Sequence, residues 1–354
     1  MRIEGRLSPL RTSWTNCLVK LADDSPMFKK TLFAFCVLLL LILTYGLNQL
    51  RSAHSDIDSV SPELPGPEAV RASGQLSGLP TSIAYYNTAS QRVARKTMLD
   101  EDQDPGETAN KRVDAESAET GLVEMSFPAF VVTWEDGRQF VIDAGFSRAE
   151  AIDFGRRSAL AGAGPIEFHG LLADQLDMAK VKGIGFTHLH GDHMMGSLAF
   201  CRDNAEFTLV QTMEQHSWHS YLTKGSAKLL NELDCGMQLL LDDTFVLKGI
   251  KDFPGLYVVY AGGHTLGSQI FVAHINEGAR TETYILAGDM ANHFDGVRYN
   301  VSKPPAYSRW IVPENLDQLY KVRSWLKLMN QETDISVFIS HDKRHLNESG
   351  MTAL

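Results

Sequence analysis

The chain has 354 residues, 44% hydrophobic and 21% charged, with a formal net charge of −10. That composition is close to the globular average and excludes wholesale disorder, a collagen-like fibre and a polytopic membrane protein. The acidic balance excludes a general nucleic-acid binder, which needs surplus Lys and Arg for phosphate contacts, and 4 cysteines are too few for a disulfide-rich scaffold.

The first predicted element is an uncharged apolar run from Leu32 to Leu47, LFAFCVLLLLILTYGL. Its flanks extend it to a transmembrane helix over 31–50, within the roughly 17–25 residues that span a bilayer. A cleaved signal peptide is the main alternative, but its apolar stretch is usually about 7–15 residues and close to the N-terminus. A buried core helix is disfavoured because the run has no polar face and is followed by a long polar stretch. Residues 1–30 hold six basic side chains (Arg2, Arg6, Arg11, Lys20, Lys29, Lys30) and three acidic ones (Glu4, Asp23, Asp24), leaving 27 basic and 40 acidic for the rest. Basic flanks stay in the cytoplasm. The expected arrangement is a cytoplasmic segment 1–30, a signal-anchor 31–50 and an acidic remainder that is periplasmic or extracellular. Cys17 is then cytoplasmic and Cys36 lies in the membrane. Cys201 and Cys235 share the oxidising side, where they either pair or remain two buried thiols.

Residues 51–80, with SPELPGPEAVRASGQLSG, read as a linker that cannot bury a core, ahead of a domain over 81–354. Ile83–Tyr86 suits a first strand and Asp100–Glu119 an acidic loop. Phe130–Thr133 and Gln139–Ile142 are β-rich runs around an Asp136-Gly137 turn, the pattern of a hairpin. Ser147–Leu160 reads as a helix capped by Ser147 with Glu150 three residues on. Further strands are expected at 184–187, 207–211, 256–260, 269–275, 282–287 and 335–340. Pro313–Asn330 reads as a helix with Pro313 in its first turn and Leu316, Leu319, Val322, Leu326 and Met329 on one face. Strands and helices interspersed in this way predict a layered α/β or α+β domain.

The chemistry sits where predicted strands end. Thr187-His188-Leu189-His190-Gly191-Asp192-His193 places four metal-ligating side chains in six residues. On an extended segment, residues two apart project to one side, so His188 and His190 can grip one ion, and a turn at Gly191 redirects Asp192 and His193 towards a second. Imidazole with carboxylate suits zinc, and also iron or manganese. His264 in GGHT, Asp289 in AGDM and His341 in ISHD each follow an apolar run. Small neighbours beside His264 and Asp289 let backbones approach closely. His216 and His219 are read as non-ligands.

With the motifs THLHGDH, GGHT, AGDM and ISHD, preceded by FVIDAG, the chain resembles the metallo-β-lactamase-fold hydrolase superfamily from about Phe127 to Asp342. The resemblance implies an α+β domain built as an αββα four-layer sandwich with a two-metal site at one edge. His188, His190 and His264 would hold one ion, Asp192, His193 and His341 the other, and Asp289 would bridge both, with Asp143 supporting the site from behind. Two divalent ions about 3.5–4 Å apart would share a water of lowered pKa, and the resulting hydroxide would attack a carbonyl or phosphoryl centre, with Asp192 as its catalytic orienter.

Departures from relatives narrow the reading. Bacterial β-lactamases of this fold commonly place another ligand at the position of Asp289. Flavodiiron proteins carry a carboxylate where His190 stands. Glyoxalase II-like thioesterases add a helical domain after the last ligand, whereas 13 residues follow His341. Acyl-homoserine lactonases share the ligand set but usually carry Tyr where this chain has Asn292; Tyr299 and Tyr307 are candidate substitutes. Residues His293–Trp310 are expected as a loop over the metals. The expected function is a membrane-anchored binuclear hydrolase acting on an ester, lactone or related small molecule. A phosphodiesterase and a non-catalytic metal-binding module are the alternatives.

Overall fold

A computed structural model describes residues 26–103, 121–204, 206–231, 233, 235–241, 246–278 and 280–354. Cys17, with most of the expected cytoplasmic segment, and residues 104–120 of the acidic stretch lie outside the described residues. The chain divides into two compact units, Met1–Ser52 and Ala53–Leu354.

Helix α1 (Pro26–Asp58) carries the apolar run. Phe33, Leu38, Leu41 and Tyr45 on it are exposed, and the helix is long and apolar enough to cross a membrane. It outlasts the expected end at residue 50 and stops at Asp58. Asn48–Asp58 contain neither Gly nor Pro, so nothing local breaks the helix.

The stretch expected as a linker instead belongs to the second unit from Ala53 onward. Its composition is poor in apolar residues, but Ala53, Ile57, Val60 and Val70 are buried. Ile57 and Val60 pack with Tyr260 and Leu266. Helix α2 (Pro67–Ser73), opened by Pro67 in its first turn, buries Val70 completely. Trp325 Nε1 donates to the Pro65 carbonyl at 2.6 Å, Tyr257 Oη donates to the Ser73 carbonyl at 2.8 Å, and Arg71 pairs with Glu332 and Asp334.

His274 lies under this strap, with Nε2 2.8 Å from Ser73 Oγ and Nδ1 3.0 Å from Thr283 Oγ1. Burial pushes its pKa from 6.5 down to about 4, against the opposing charge of Asp334. Between those values the unfolded chain takes up a proton that the folded one refuses. Its contribution is therefore whole above the unfolded pKa and is lost as pH falls towards the folded one, at most about 3 kcal/mol at roughly 1.4 kcal/mol per pH unit. The urea midpoint should fall from pH 6.5 to 4, and less steeply in His274→Gln. Equal slopes in the two proteins would remove His274 from the account.

In the first sheet, β1 (Ser82–Ala94) pairs antiparallel with β2 (Leu122–Thr133), and β2 forms the expected hairpin with β3 (Gln139–Ile142). Helix α3 (Arg148–Ala159) follows, and Ser147 Oγ accepts from Glu150 N as its sequence predicts. The short β4 (Ile166–Phe168) pairs with β1. Strands β5 (Val181–Gly185), β6 (Phe207–Thr212) and β7 (Gly236–Leu241) continue the sheet in parallel from β3. The β6–β7 register brings Cys235 beside the start of β6, and Cys235 is disulfide-bonded to Cys201.

The second sheet runs β12-β11-β10-β9-β8, from β8 (Lys248–Gly249), β9 (Leu256–Tyr260), β10 (Gln269–Asn276), β11 (Thr281–Leu286) and β12 (Ile335–Phe338). The last strand, β13 (Thr352–Ala353), returns to pair with β1.

Alternation along the strands builds the layers. Phe130, Val132, Phe140 and Ile142 pack with Val258, Phe271 and Phe338 between the sheets. Ala129, Val131, Val141 and Ile184 point the other way, towards Met194, Phe200 and Leu230. The outer face of the second sheet, with Val259, Ile270, Val272 and Ile285, takes Leu319, Val322, Leu326 and Met329. The result is the expected αββα sandwich.

The helix expected over 313–330 spans Leu316–Met329, with Asn315 as its cap accepting from Gln318 N at 2.9 Å. Pro313 therefore precedes the helix. Leu316, its first residue, is 38% exposed rather than part of the buried face.

Candidate metal centre

Strand direction gathers the site. β3 and β5 are parallel, as are β11 and β12, and β9 runs with β11 because both are antiparallel to β10. The segments leaving the C-terminal ends of these strands carry Asp143, His188–His193, His264, Asp289 and His341. β5 ends at Gly185, two residues before its expected end, so Phe186 to Leu189 already belong to the connection. His190 is extended (φ −73°, ψ 153°) and caps the short helix α4 (Gly191–Met194). That helix supplies the turn expected at Gly191 and sets the His193 ring against His188, with centroids 4.0 Å apart.

Two groups of ligating atoms result. In the first, His188 Nε2 lies 3.0 Å from His190 Nδ1, and His264 Nε2 lies 3.2 and 3.1 Å from those two atoms. Asp289 Oδ2 is 3.6 Å from His264 Nε2. In the second, His193 Nε2 is 3.2 Å from Asp289 Oδ1 and 3.6 Å from Asp192 Oδ2, while His341 Nε2 is 3.0 Å from Asp289 Oδ2 and 3.5 Å from Asp192 Oδ2. Within each group the ligating atoms lie within 4.8 Å of one another. The seven candidate residues converge, and Asp289 belongs to both groups. His216 and His219 stand apart from them, with His219 Nε2 2.8 Å from the His216 carbonyl.

The donor set fits divalent cations. His193 Nε2 and Asp289 Oδ1, both in the second group, are buried without a hydrogen-bond partner among the described residues. Burial, then the charges of neighbouring imidazoles, hold the pKa of His188 and His190 far below the ordinary value, so both offer lone pairs at neutral pH. Burial would raise the Asp289 carboxyl, yet His341, His193 and His188 hold it well below the carboxylate range. Burial would likewise lower His193 and His341, but the charges of Asp289 and Asp192 raise both; cation binding would release those protons.

No protein-family model and no curated protein matches the chain. Solved structures do. An N-acyl homoserine lactone hydrolase with N-hexanoyl-L-homoserine bound at its catalytic metal center matches with a TM-score of 0.54 and 14% identity, over 77% of this chain and 98% of that one. A Bacillus thuringiensis protein with N-decanoyl-L-homoserine bound at the active site matches equally, at 0.54 and 14% over the same shares. A quorum-quenching N-acyl homoserine lactone lactonase matches at 0.51 and 12%, over 77% and 97%. The chain has the metallo-β-lactamase fold.

Behind the candidate ligands, this metallo-β-lactamase-fold domain places oxygen partners on the second nitrogens. Asp143 adopts φ 60°, a left-handed conformation that Asp tolerates. Its carboxylate accepts from Thr187 N (2.7 Å) and Thr187 Oγ1 (2.8 Å) and lies 3.0 Å from His193 Nδ1. His341 Nδ1 is 2.8 Å from the Ser126 carbonyl. Gly288, at φ 56°, lies against Thr187, and a Cβ there would stand 2.7 Å from its side chain.

Three residues that the motifs did not indicate complete this layer. His264 Nδ1 lies 2.6 Å from Glu314 Oε1, which also accepts from Lys303 Nζ at 2.6 Å, while Ser308 Oγ donates to Glu314 Oε2 at 2.5 Å. Burial would raise the Glu314 carboxyl, but Lys303 and His264 bring it down to about 2.

The expected loop over the metals is structured as α7 in Phe294–Tyr299 and a π-turn in Tyr307–Ile311. Two helices without an expected counterpart, α5 (Met213–Ser217) and α6 (Lys224–Asn231), precede it in the chain. Of the two candidate tyrosines, Tyr307 is the one that feels the charges of the site. Its hydroxyl lies beside the Asn292 side chain, and burial, followed by the charges of Glu314, Asp289 and Asp192, raises its pKa well above 10.

Proposed function

We propose that the chain is a membrane-anchored, binuclear metal-dependent hydrolase of esters, lactones or related small molecules. The observation that carries this reading is the pair of buried donor groups sharing Asp289. Two cations held there would supply Lewis-acid polarisation of a carbonyl or phosphoryl oxygen and a water acidic enough to attack near neutral pH. His188, His190 and His264 would hold one and Asp192, His193 and His341 the other, with Asp289 between them. Zinc suits these ligands, and so do iron and manganese.

The remaining work falls to side chains. The Asp192 side chain keeps 13% exposure where Asp289 and the second group's histidines keep 2–3%, so its carboxylate faces incoming substrate and orients the nucleophile. Tyr307 stays protonated at neutral pH and donates its hydroxyl proton in a hydrogen bond to the oxyanion as charge develops. The product N-hexanoyl-L-homoserine at the catalytic metal center of the lactone hydrolase, and N-decanoyl-L-homoserine at the active site of the Bacillus thuringiensis protein, favour a lactone or ester.

The basic N-terminal flank and the apolar α1 support one membrane span with the domain outside. The Cys201–Cys235 disulfide agrees with an oxidising compartment.

The test is a screen of the full-length, zinc-loaded chain in detergent against lactones, thioesters, β-lactams and phosphodiesters, with metal counted per chain. Turnover of lactones or esters with two ions is expected. Two ions without turnover across the panel would replace the enzyme by a metal-binding module, and turnover confined to phosphodiesters would replace the substrate class.

A further inference from the structure

We propose that Glu314 is a positioning residue that fixes His264 as a metal ligand, and that Lys303 and Ser308 exist to hold its carboxylate in place. This rests on the reading of His264 as a ligand. The His264 and Glu314 side chains have 0% exposure and that of Lys303 has 1%.

The chemistry follows from the two ring nitrogens. An ionised carboxylate can only accept. With Glu314 Oε1 2.6 Å away, Nδ1 of His264 carries the proton and donates it. Nε2 then presents its lone pair towards His188 Nε2 and His190 Nδ1, at 3.2 and 3.1 Å. Such a carboxylate fixes the tautomer and the ring plane and makes the imidazole a stronger donor. Lys303 Nζ also lies 3.0 Å from His264 Nδ1. That nitrogen has no lone pair in this tautomer, so the ammonium donates to Glu314 instead.

The carboxylate is braced from two sides. Lys303 holds Oε1 and Ser308 holds Oε2. The backbone is tied as well: Glu314 N donates to the Ser308 carbonyl at 3.2 Å and Asn315 N to the Gly263 carbonyl at 2.9 Å, one residue before His264. A buried Lys–Glu pair is weak evidence of a stability device, because apolar replacements are often neutral or better. Its placement on a ligand's second nitrogen gives it a different use. The same brace reaches the turn that carries Tyr307, since Ser308 is the next residue.

The test uses the full-length chain in detergent, with zinc affinity measured by titration against a chromophoric chelator and the visible spectrum recorded after loading with cobalt. In Glu314→Gln, one of two ions should bind about 10–100-fold more weakly while the other keeps its affinity, and the cobalt spectrum should change even at saturation. That variant strands the Lys303 ammonium, so the double variant Lys303→Met/Glu314→Gln removes the stranded charge. The double variant should unfold no more readily than the single one and still bind that ion weakly. Wild-type affinity for both ions in the double variant would reduce Glu314 to an ion-pair partner and overturn the proposal. So would an unchanged cobalt spectrum in a two-ion Glu314→Gln protein. A wild-type chain that binds no zinc would sink the metal reading and this inference together, whereas two wild-type ions with unaffected variants would sink this inference alone.

Discussion

Asp289→Ala should leave the chain with no more than one tightly bound ion and should reduce hydrolysis by roughly a thousandfold. The carboxylate is common to both ligand groups, with Oδ2 3.6 Å from His264 Nε2 in the first and Oδ1 3.2 Å from His193 Nε2 in the second. No other described side chain belongs to both groups. Without it, each set of three remaining ligands lacks its anionic link to the other. Loss of one cation removes several kcal/mol of transition-state stabilisation, and about 4 kcal/mol corresponds to roughly a thousandfold in rate. Metal counting after dialysis, alongside kcat/KM on the best substrate of the screen, checks this. Two retained ions with full activity would refute the shared role.

Asp143→Ala should be the most destabilising change close to the site, at about 4 kcal/mol. Three interactions converge on a side chain with no exposure: Thr187 N, Thr187 Oγ1 and His193 Nδ1. Leaving a buried N–H unsatisfied costs about 1–3 kcal/mol, and a non-glycine residue in the left-handed region without a local polar contact costs roughly 1–2 kcal/mol more. Asp143→Asn separates stability from ligation. Asn tolerates the same backbone and can still accept from Thr187 N, so most of the stability should return. It offers His193 only a neutral partner, so one ion should still bind about 10–100-fold more weakly. Chemical denaturation and metal titration of both variants decide the matter; an Ala variant as stable as the parent would show that Asp143 does not organise this corner.

The convergence of the candidate ligand residues was legible because their spacing is local. His188 and His190 share a side through the alternation of extended chain, and His264, Asp289 and His341 each follow a run apolar enough to mark a buried strand. Boundaries were less legible where glycine weakened the pattern. β5 begins at Val181, but Gly183 and Gly185 thin its apolar signal, which displaced the expected strand towards the histidines. The linker reading failed for a related reason. Composition over 51–80 averages away single residues, yet Val70 alone anchors α2 in the core and two backbone carbonyls, of Pro65 and Ser73, receive bonds from Trp325 and Tyr257.

By itself the sequence determined the apolar helix, the alternating strands of the sandwich and the identity of seven metal-ligating candidates, since each depends on neighbours a few residues apart. Only the tertiary structure decided what stands behind those ligands. Glu314 is 50 residues from His264 and Lys303 is 39, and no periodicity operates over such distances. Tyr307 was separated from Tyr299, and Cys201 joined to Cys235, by the packing of loops and by strand register. These are properties of chain segments meeting in space, where burial and hydrogen bonding select partners that sequence order leaves open.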